Sequence, residues 1–357
     1  MKDFLKKIRR KIDSFLSNEI GIDLGTANTL VYVRGKGIII NEPSVVAVNQ
    51  KTGRVVAIGS TAKKMLGRTP PHIVAVRPLV DGVISDFEVA EEMLAYLISR
   101  AEGESKKLLG PKVVIGVPSG ITNVETRAVR DAAKNAGARE VHIVEEPMSA
   151  AIGIKLPVKD PVGNMIIDIG GGTSDIALIS LNGIVCSRNV KIAGDRFNSD
   201  IINYIRNEFK ILIGEKTAER VKMEIGSVMP GGENLETMVR GRDLVTGLPR
   251  EVVITDSDIR EALSQSIDTL LESIKEVLEG APPEILSDVM FRGVHLTGGG
   301  ALIRGLKEFL EEWLKIPVHS SSDPLTAVAR GTGIVLENLE EMDEILLTGE
   351  DDLPSHR

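Results

Sequence analysis

The sequence predicts an α/β protein built from two related lobes, and three observations support this fold class. A chain of 357 residues is too long for one ordinary hydrophobic core. Apolar residues make up 42% of the chain, which is enough to fill two cores. The two halves also contain variants of one motif, from Gly21 to Thr29 and from Ile167 to Asp175. The repeated motif indicates an internal duplication.

Each copy of the motif predicts a strand, a tight turn and a second strand. The chain is apolar up to a single aspartate, turns through glycine and small polar residues, and continues as a β-rich run, Leu30 to Val33 or Ile176 to Ile179. Glycine allows positive φ and brings backbone N–H groups close to a phosphate, while hydroxyls add donors. The predicted phosphate-binding residues are Thr26, Ala27, Asn28, Gly170, Gly171 and Gly172.

The aspartates of the two motifs, Asp23 and Asp168, are candidate magnesium ligands at the strand ends. Magnesium keeps most of its waters and takes few carboxylates, so one aspartate per strand suits it. Either segment alone is also explained by a simple β-hairpin with a glycine turn. The chain has no P-loop sequence, and a Rossmann turn would open a helix instead of a strand. Matching aspartates in both halves favour a clamp around a nucleotide.

A third glycine cluster lies in the second half. The sequence from Val294 to Leu306 is an apolar strand that ends in three glycines and leads into a helical pattern through Trp313. Backbone without side chains would let a purine ring or a phosphate lie against it. In the first half, Lys112 to Gly120 has the same strand-to-helix form, with a helix predicted from Val124 to Ala136. This correspondence supports the duplication.

Composition and charge exclude several classes of function. The formal net charge is −8, and aromatic residues make up 3% of the chain, so neither a basic field nor stacking platforms for nucleic acid are present. We therefore expect no nucleic-acid partner. A single cysteine, Cys186, excludes an intramolecular disulfide framework and fits a reducing cytoplasm.

The N-terminal sequence predicts an amphipathic helix from Met1 to Ser17. Six apolar residues recur at helical spacing, and six lysines and arginines occupy the other face. Such a helix lies in a bilayer interface with its cations against anionic lipid, although packing on its own domain or on a partner is the alternative. No run of about twenty apolar residues occurs, so we expect no membrane span. The acidic stretch from Glu337 to Asp352 predicts a solvated tail.

The motifs together resemble the superfamily of actin, Hsp70 and sugar kinases, and most closely the MreB family of bacterial actins. The resemblance runs from about Ile20 to Val335 and includes four further segments: Asn41 to Ala47, Arg77 to Ile84, Val144 to Gly153 and Thr217 to Lys222. It implies an actin-like fold, in which two ribonuclease-H-like lobes, each with an inserted smaller subdomain, hold a nucleotide in the cleft.

The resemblance also implies domain boundaries. The amphipathic helix covers residues 1–18, and the first lobe covers 19–160 and 325–340, with an insertion at about 42–89. The second lobe covers 161–324, with an insertion at about 198–257, and an acidic tail covers 341–357. The sequence from Asp323 to Gly333 predicts a helix of small residues that crosses the connecting helix near Ala150 and Ala151.

By resemblance the cofactors are ATP and Mg²⁺, and the expected reaction is ATP hydrolysis by an in-line water. Glu146 would accept a hydrogen bond from that water and Thr173 would hold it, with Glu145 as the adjacent alternative. Helix capping or a surface salt bridge is the structural alternative for these glutamates. Asp195 lies near the ribose or phosphates, or simply forms a turn. The residues expected around the adenosine are Glu219, Arg220, Val221, Lys222, Gly299, Gly300, Ala301 and Leu302.

The function that the resemblance implies is an ATP-dependent cytoskeletal filament that organises peptidoglycan synthesis and maintains rod shape. The chain would be cytoplasmic and peripheral on the inner face of the cytoplasmic membrane. Its expected partners are further copies of itself in paired protofilaments and an anionic membrane surface. The membrane would be contacted through residues 1–17 and through the Leu108-Leu109 pair; the alternative for this pair is that the two leucines pack under the following strand. MreC, MreD and RodZ of the elongation machinery complete the expected partners. Two other functions remain open: a monomeric chaperone-like or regulatory ATPase, and a small-molecule kinase.

Overall fold

The computed structural model describes residues 17–103, 109–231 and 234–347. The chain divides into two compact units, after Val158 and again after Leu325, so the first unit is formed by two separate parts of the sequence. In chain order, the elements of its larger part are β1 (Ser17–Leu24), β2 (Asn28–Val33), β3 (Gly37–Pro43), β4 (Val46–Asn49), β5 (Val55–Ile58), α1 (Ser60–Met65), β6 (Ile73–Val76), β7 (Leu79–Val80), β8 (Val83–Ile84), α2 (Phe87–Glu102), β9 (Leu109–Val117), α3 (Asn123–Asn135), β10 (Glu140–Glu145) and α4 (Glu146–Gly153).

A five-stranded sheet in the order β10-β9-β1-β2-β3 is the centre of the first unit. Strands β1, β2 and β3 are antiparallel neighbours, whereas β9 runs parallel to β1 and β10 runs parallel to β9. Ile20 and Ile22 on β1 and Ile115 on β9 are fully buried. Helix α3 begins where Thr122 and Glu125 form a capping box, close to the predicted start at Val124.

A smaller sheet in the order β5-β4-β6 follows β3 within the same unit. Val45, Ala47 and Ala62 form its own small apolar cluster. The short hairpin of β7 and β8 then returns the chain to α2. Its two turn residues, Asp81 and Gly82, both have positive φ, as a tight two-residue hairpin requires.

The second unit repeats the plan of the first. Its elements are β11 (Asn164–Ile169), β12 (Ser174–Ser180), β13 (Gly183–Val190), α5 (Gly194–Glu208), β14 (Ile211–Leu212), α6 (Glu215–Ile225), β15 (Glu236–Asp243), β16 (Pro249–Thr255), α7 (Asp256–Glu279), α8 (Pro283–Arg292), β17 (Val294–Thr297), α9 (Leu306–Leu314) and β18 (Val318–Ser320). The central sheet has the order β13-β12-β11-β17-β18, with three antiparallel strands and then two parallel ones. The same order and directions in both units support the predicted duplication.

The core of the second unit is aliphatic, as the low aromatic content predicts. Met165, Ile167 and Ile176 are fully buried, and Phe197 on α5 is the largest fully buried side chain in the described chain. A separate three-stranded sheet in the order β14-β15-β16 packs beside α6.

After Leu325 the chain returns to the first unit with helix α10 (Ala327–Glu337), which packs closely on α4. A methyl group on Gly331 would lie 1.7 Å from the carbonyl oxygen of Ser149, and one on Gly153 would lie 1.9 Å from that of Ala327. The Ser149 hydroxyl donates to the carbonyl of Val328 at 3.1 Å. Small residues therefore bring the two helices together, as the sequence predicts, although a short 3₁₀ turn over Pro324–Thr326 precedes the helix.

Both chain ends depart in part from the predictions. Residues 1–16 and Leu108 lie outside the described residues, but Ser17 and Asn18 begin β1 instead of ending a helix, because Ser17 pairs with Leu109 of β9. The predicted acidic tail is not wholly solvated: Leu346 bridges Val144, and Leu347 donates to the carbonyl of Ile143 at 2.8 Å. This segment covers the open edge of β10. Within residues 17–103, 109–231 and 234–347, no helix is both long and apolar enough to cross a bilayer.

Candidate nucleotide-binding site

The loop between β1 and β2, residues 25–27, is held by Ser44 at the end of β3. The Ser44 hydroxyl donates to the carbonyl oxygen of Gly25 at 2.5 Å, and its backbone N–H donates to that of Ala27 at 3.0 Å. No peptide bond in the described chain is cis, and in a trans peptide the C=O and the N–H point in opposite directions. The N–H groups of Thr26 and Asn28 therefore point away from Ser44. Both belong to the predicted phosphate donors.

Thr26 is also fixed through its side chain. Its hydroxyl oxygen accepts a hydrogen bond from the backbone N–H of Gly82, at 3.0 Å, in the turn between β7 and β8. A hydroxyl that accepts one bond keeps its own proton for donation. The side chain is 7% exposed, so the hydroxyl is held in a defined position at the loop.

The loop between β11 and β12 is fixed by the start of α5. The N–H groups of Gly194 and Asp195 donate to the carbonyl oxygens of Gly170 and Gly171, at 3.2 and 2.8 Å. The N–H groups of Gly171 and Gly172 therefore point away from α5, by the same planarity of the peptide. Asp195, in the first turn of α5, therefore contacts this loop through its backbone N–H.

The prediction for Gly170 needs correction. Its backbone N–H donates to the carbonyl oxygen of Thr173 at 2.9 Å and closes the turn, so it is not aimed at a ligand. A methyl group at Gly170 would lie only 3.1 Å from that same oxygen. Gly170 thus shapes the loop, while Thr173 lies buried at its far end.

Asp168 is a buried carboxylate at the end of β11, with 6% of its surface exposed. The Thr297 hydroxyl donates to its Oδ1 at 3.0 Å, and Asp175 lies directly opposite it across the β11–β12 pair. Burial, and then the negative charge of Asp175, raise the pKa of Asp168 to about 7, against the smaller lowering effect of the Thr297 bond. A cation at this position would offset both unfavourable effects, so the residues present fit a magnesium ion.

Asp23 occupies the matching position on β1. It pairs with Leu30 on one side and with Gly116 of β9 on the other, and it is half-buried. In the described part of the chain, no group of three or more His, Cys, Asp or Glu side chains is placed to hold a metal ion. Magnesium usually keeps several waters and takes one or two carboxylates, so a lone aspartate is compatible with this ion.

Glu145 and Glu146 have different surroundings. The Glu145 carboxylate accepts the backbone N–H of Gly120 at 3.3 Å, in the turn after β9. Glu146 is the first residue of α4, and a methyl group on Gly116 would lie 3.6 Å from its Cγ. Gly116 is the strand neighbour of Asp23, so Glu146 lies at the same edge of the sheet as the first loop. Pro147 occupies the first turn of α4, as predicted.

The four residues expected at the nucleoside differ in their surroundings on α6. The Lys222 ammonium donates to the carbonyl of Gly194 at 2.8 Å, which connects α6 to the second loop. Glu219 is half-buried one turn earlier. Arg220 instead contacts Glu224, Thr237 and the carbonyl of Met238.

Val221 does not fit the predicted role. Its side chain is fully buried in the core of the second unit, together with Ala218 and Ile225 of the same helix. These three residues recur at helical spacing on one face, so the apolar period of α6 already indicated a core position. The Val221 side chain is therefore not available to contact a ligand.

The third glycine cluster lies against the end of β11. A methyl group on Gly298 would lie 2.3 Å from the carbonyl oxygen of Ile169 and 2.5 Å from Oδ1 of Asp168, and Gly298 has φ of 82°. A methyl group on Gly300 would lie 2.2 Å from Cγ2 of Ile169. Glycine is required here because the backbones approach closely.

Beyond this contact, the segment Gly299–Leu302 forms a 3₁₀ turn. Gly299 and Leu302 are exposed on it, whereas Ala301 packs on the core. The Arg304 guanidinium donates to the carbonyl of Glu224 at 2.5 Å, which ties the turn to the end of α6. The second unit thus brings the Gly299–Leu302 turn, Lys222 and the second loop into one region.

Two residues that position the first loop, Ser44 and Gly82, were not predicted as site residues. Both lie in segments that support the family resemblance, but no local pattern assigned them a role. The Asp81-Gly82 pair is a recognisable hairpin-turn signal, which could have located the turn but not its contact with Thr26.

Comparison with solved structures identifies the class of protein. A crystal structure of MreB5 of Spiroplasma citri bound to ADP is 41% identical, with a TM-score of 0.87, and the match covers 92% of this chain and 98% of that one. The same protein bound to AMPPNP matches with the same values. MamK in a double helical filament is 25% identical, with a TM-score of 0.77, over 90% of this chain and 99% of that one. The fold is therefore actin-like, as predicted.

The family model of the MreB/Mbl protein matches residues 17–344. The cell shape-determining protein MreB of Escherichia coli is 51% identical over 335 residues, which cover 93% of this chain and 96% of the relative. The cell shape-determining protein Mbl of Bacillus cereus is 49% identical over 326 residues, which cover 91% and 98% respectively. The chain belongs to the MreB/Mbl family.

Proposed function

We propose that this chain is an ATP-dependent filament-forming protein that polymerises on the inner face of the cytoplasmic membrane and organises peptidoglycan synthesis to maintain rod shape. The observation that carries the proposal is a pair of loops whose carbonyl groups are hydrogen-bonded to the protein, so that the N–H groups of the same peptides point away from those partners. The chain is also 41% identical to a protein bound to ADP and to AMPPNP. The names of the relatives and the MamK filament support assembly and a role in cell shape.

We propose that each of the two loops binds nucleotide phosphate. The donors are the N–H groups of Thr26, Ala27, Asn28, Gly171 and Gly172. Asp23 and Asp168 would hold a magnesium ion and its waters, and that ion neutralises phosphate charge when bound. Glu219 and Lys222, with the turn at Gly299–Leu302, would contact the adenosine, as the family resemblance implies.

Hydrolysis requires that a water be positioned in line with the terminal phosphate, because phosphoryl transfer needs positioning and charge neutralisation more than covalent help. Glu146 is our candidate acceptor for that water, and the Thr173 hydroxyl is our candidate for holding it. The bond between Glu145 and Gly120 supports Glu146 over its neighbour, since it gives the Glu145 carboxylate a structural role.

Membrane attachment is proposed from the sequence of residues 1–16 and from the Leu108-Leu109 pair, of which the structure describes Leu109 as the first residue of β9. An amphipathic helix with basic residues on one face binds anionic lipid weakly, and many such anchors on one polymer bind strongly. MreC, MreD and RodZ are proposed partners by family resemblance. We propose no nucleic-acid partner.

Phosphate release from Mg-ATP, measured over a range of protein concentrations, tests the proposed function. A filament predicts release per chain that rises steeply above a critical concentration, together with material that pellets. A monomeric chaperone-like ATPase predicts the same rate per chain at every concentration. A small-molecule kinase predicts slow release that increases only when a phosphate acceptor is added. Either of the last two results would contradict the filament.

A further inference from the structure

Ser44 occupies a junction in the first unit. It is 0% exposed and lies between β3 of the central sheet and β4 of the small sheet. Its hydroxyl lies 2.5 Å from the carbonyl oxygen of Gly25 and 2.9 Å from the hydroxyl of Thr29, which is also fully buried. The residue therefore contacts the first phosphate-binding loop and the strand that follows it.

The direction of these hydrogen bonds follows from the number of protons. A serine hydroxyl has one proton, and the carbonyl oxygen of Gly25 can only accept. Ser44 must therefore donate to Gly25, and Thr29 must donate to Ser44. The result is an ordered chain of hydrogen bonds from the fully buried Thr29 through the fully buried Ser44 to Gly25, in which each bond polarises the next.

We propose that Ser44 is a positioning residue for nucleotide binding, which orients the N–H of Thr26 toward a phosphate by holding the carbonyl of Gly25. The inference rests on the proposed nucleotide-binding function. Because the Gly25–Thr26 peptide is planar and trans, its carbonyl and its N–H cannot be turned independently. A loop whose donors are fixed before binding loses less entropy when the phosphate arrives.

The second loop shows that this arrangement is not forced by the hairpin itself. There the carbonyl oxygens of Gly170 and Gly171 accept backbone N–H groups of Gly194 and Asp195, and no side-chain hydroxyl is required for those two bonds. In the first loop, one of the two carbonyls depends on the side chain of Ser44. The two loops should therefore respond differently to loss of a hydroxyl.

The test is titration of the full chain with Mg-ADP, beginning with the unmodified protein. Ser44→Ala removes the hydroxyl but keeps the backbone N–H that donates to Ala27, and we expect affinity to fall at least about tenfold, or about 1.4 kcal/mol. Ser44→Thr keeps a hydroxyl and is expected to recover most of the affinity. Ser17→Ala is the matched control, because Ser17 is also a buried serine on the first unit's sheet and its hydroxyl donates to the carbonyl of Gly110 at 2.7 Å. The affinity of this variant for Mg-ADP should stay within about threefold of that of the unmodified protein.

The possible results distinguish a failure of the proposed nucleotide-binding function from a failure of the role of Ser44 alone. If the unmodified protein fails to bind Mg-ADP, the proposed function and this inference both fall. If it binds and folded Ser44→Ala binds equally well, or if Ser44→Thr loses as much as Ser44→Ala, only the role of Ser44 falls. Should Ser44→Ala not fold, the double variant Thr29→Val/Ser44→Ala removes the unpaired buried donor. We expect it to fold and to bind weakly, and unchanged affinity would overturn the inference.

Discussion

The side chain of Glu146 lies over Gly116, the strand neighbour of Asp23: a methyl group on Gly116 would be 3.6 Å from Cγ of Glu146. The contact places the first residue of α4 at the sheet edge that carries the loop between β1 and β2. The adjacent Glu145 instead accepts the N–H of Gly120. Two neighbouring glutamates thus have different surroundings, which can be distinguished by substitution.

Glu146→Gln should lower the rate of ATP hydrolysis by about 10²-fold or more, because the amide is a much weaker acceptor for a water proton. The affinity for Mg-ADP should stay the same, since the variant keeps the shape of the side chain. Phosphate release and nucleotide titration measure the two quantities. Glu145→Gln is the control, and a loss of hydrolysis as large as that of Glu146→Gln would contradict the assignment.

Lys222→Met should weaken Mg-ADP binding by roughly tenfold or more. The Lys222 ammonium donates to the carbonyl of Gly194, whose own N–H holds Gly170, so its loss loosens the second loop; hydrogen bonds to charged groups contribute about 1.5–3 kcal/mol. Lys216→Met changes an exposed lysine on the same helix and should bind like the unmodified protein. Equal affinity in the two variants would exclude a role for Lys222 in holding the loop.

Gly331→Ala should destabilise the first unit by roughly 1–3 kcal/mol or more, because the new methyl group would lie 1.7 Å from the carbonyl oxygen of Ser149 and α4 and α10 would have to separate. Thermal or denaturant unfolding measures the loss. Gly280→Ala is a suitable control: its φ is −78° and its methyl group would lie 3.4 Å from the nearest atom, so a change within about 0.5 kcal/mol is expected. Similar losses in both variants would argue against close helix packing as the cause.

Removal of residues 1–16 should weaken co-sedimentation with anionic vesicles and leave nucleotide binding unchanged. The truncation ends before Ser17, because Ser17 pairs with Leu109 and its removal would disturb the sheet. Added salt should weaken the binding of the intact protein, since lysines and arginines supply part of the attraction. Unchanged vesicle binding after truncation would show that these residues are not the anchor.

The local patterns of the sequence predicted both hairpins, because a glycine turn between apolar runs is a short-range signal. The order of the strands in the two sheets was not predicted. The contacts that hold the loops could not be predicted from the sequence. Ser44 is 19 residues from Gly25, and Gly82 is 56 residues from Thr26, so neither contact produces a periodic pattern in the sequence. Gly170 and Val221 show a second limit of prediction from sequence. A family motif can place a residue at a site, but it does not show whether the N–H group or the side chain of that residue is free to contact a ligand.

Electron microscopy of the purified chain with and without Mg-ATP is the most direct test of the proposal that nucleotide binding controls assembly. We expect filaments with Mg-ATP, few or none without it, and loss of filaments in a variant that no longer binds nucleotide. Single particles of one chain at every protein concentration, in a sample that binds and hydrolyses ATP, would contradict the proposal.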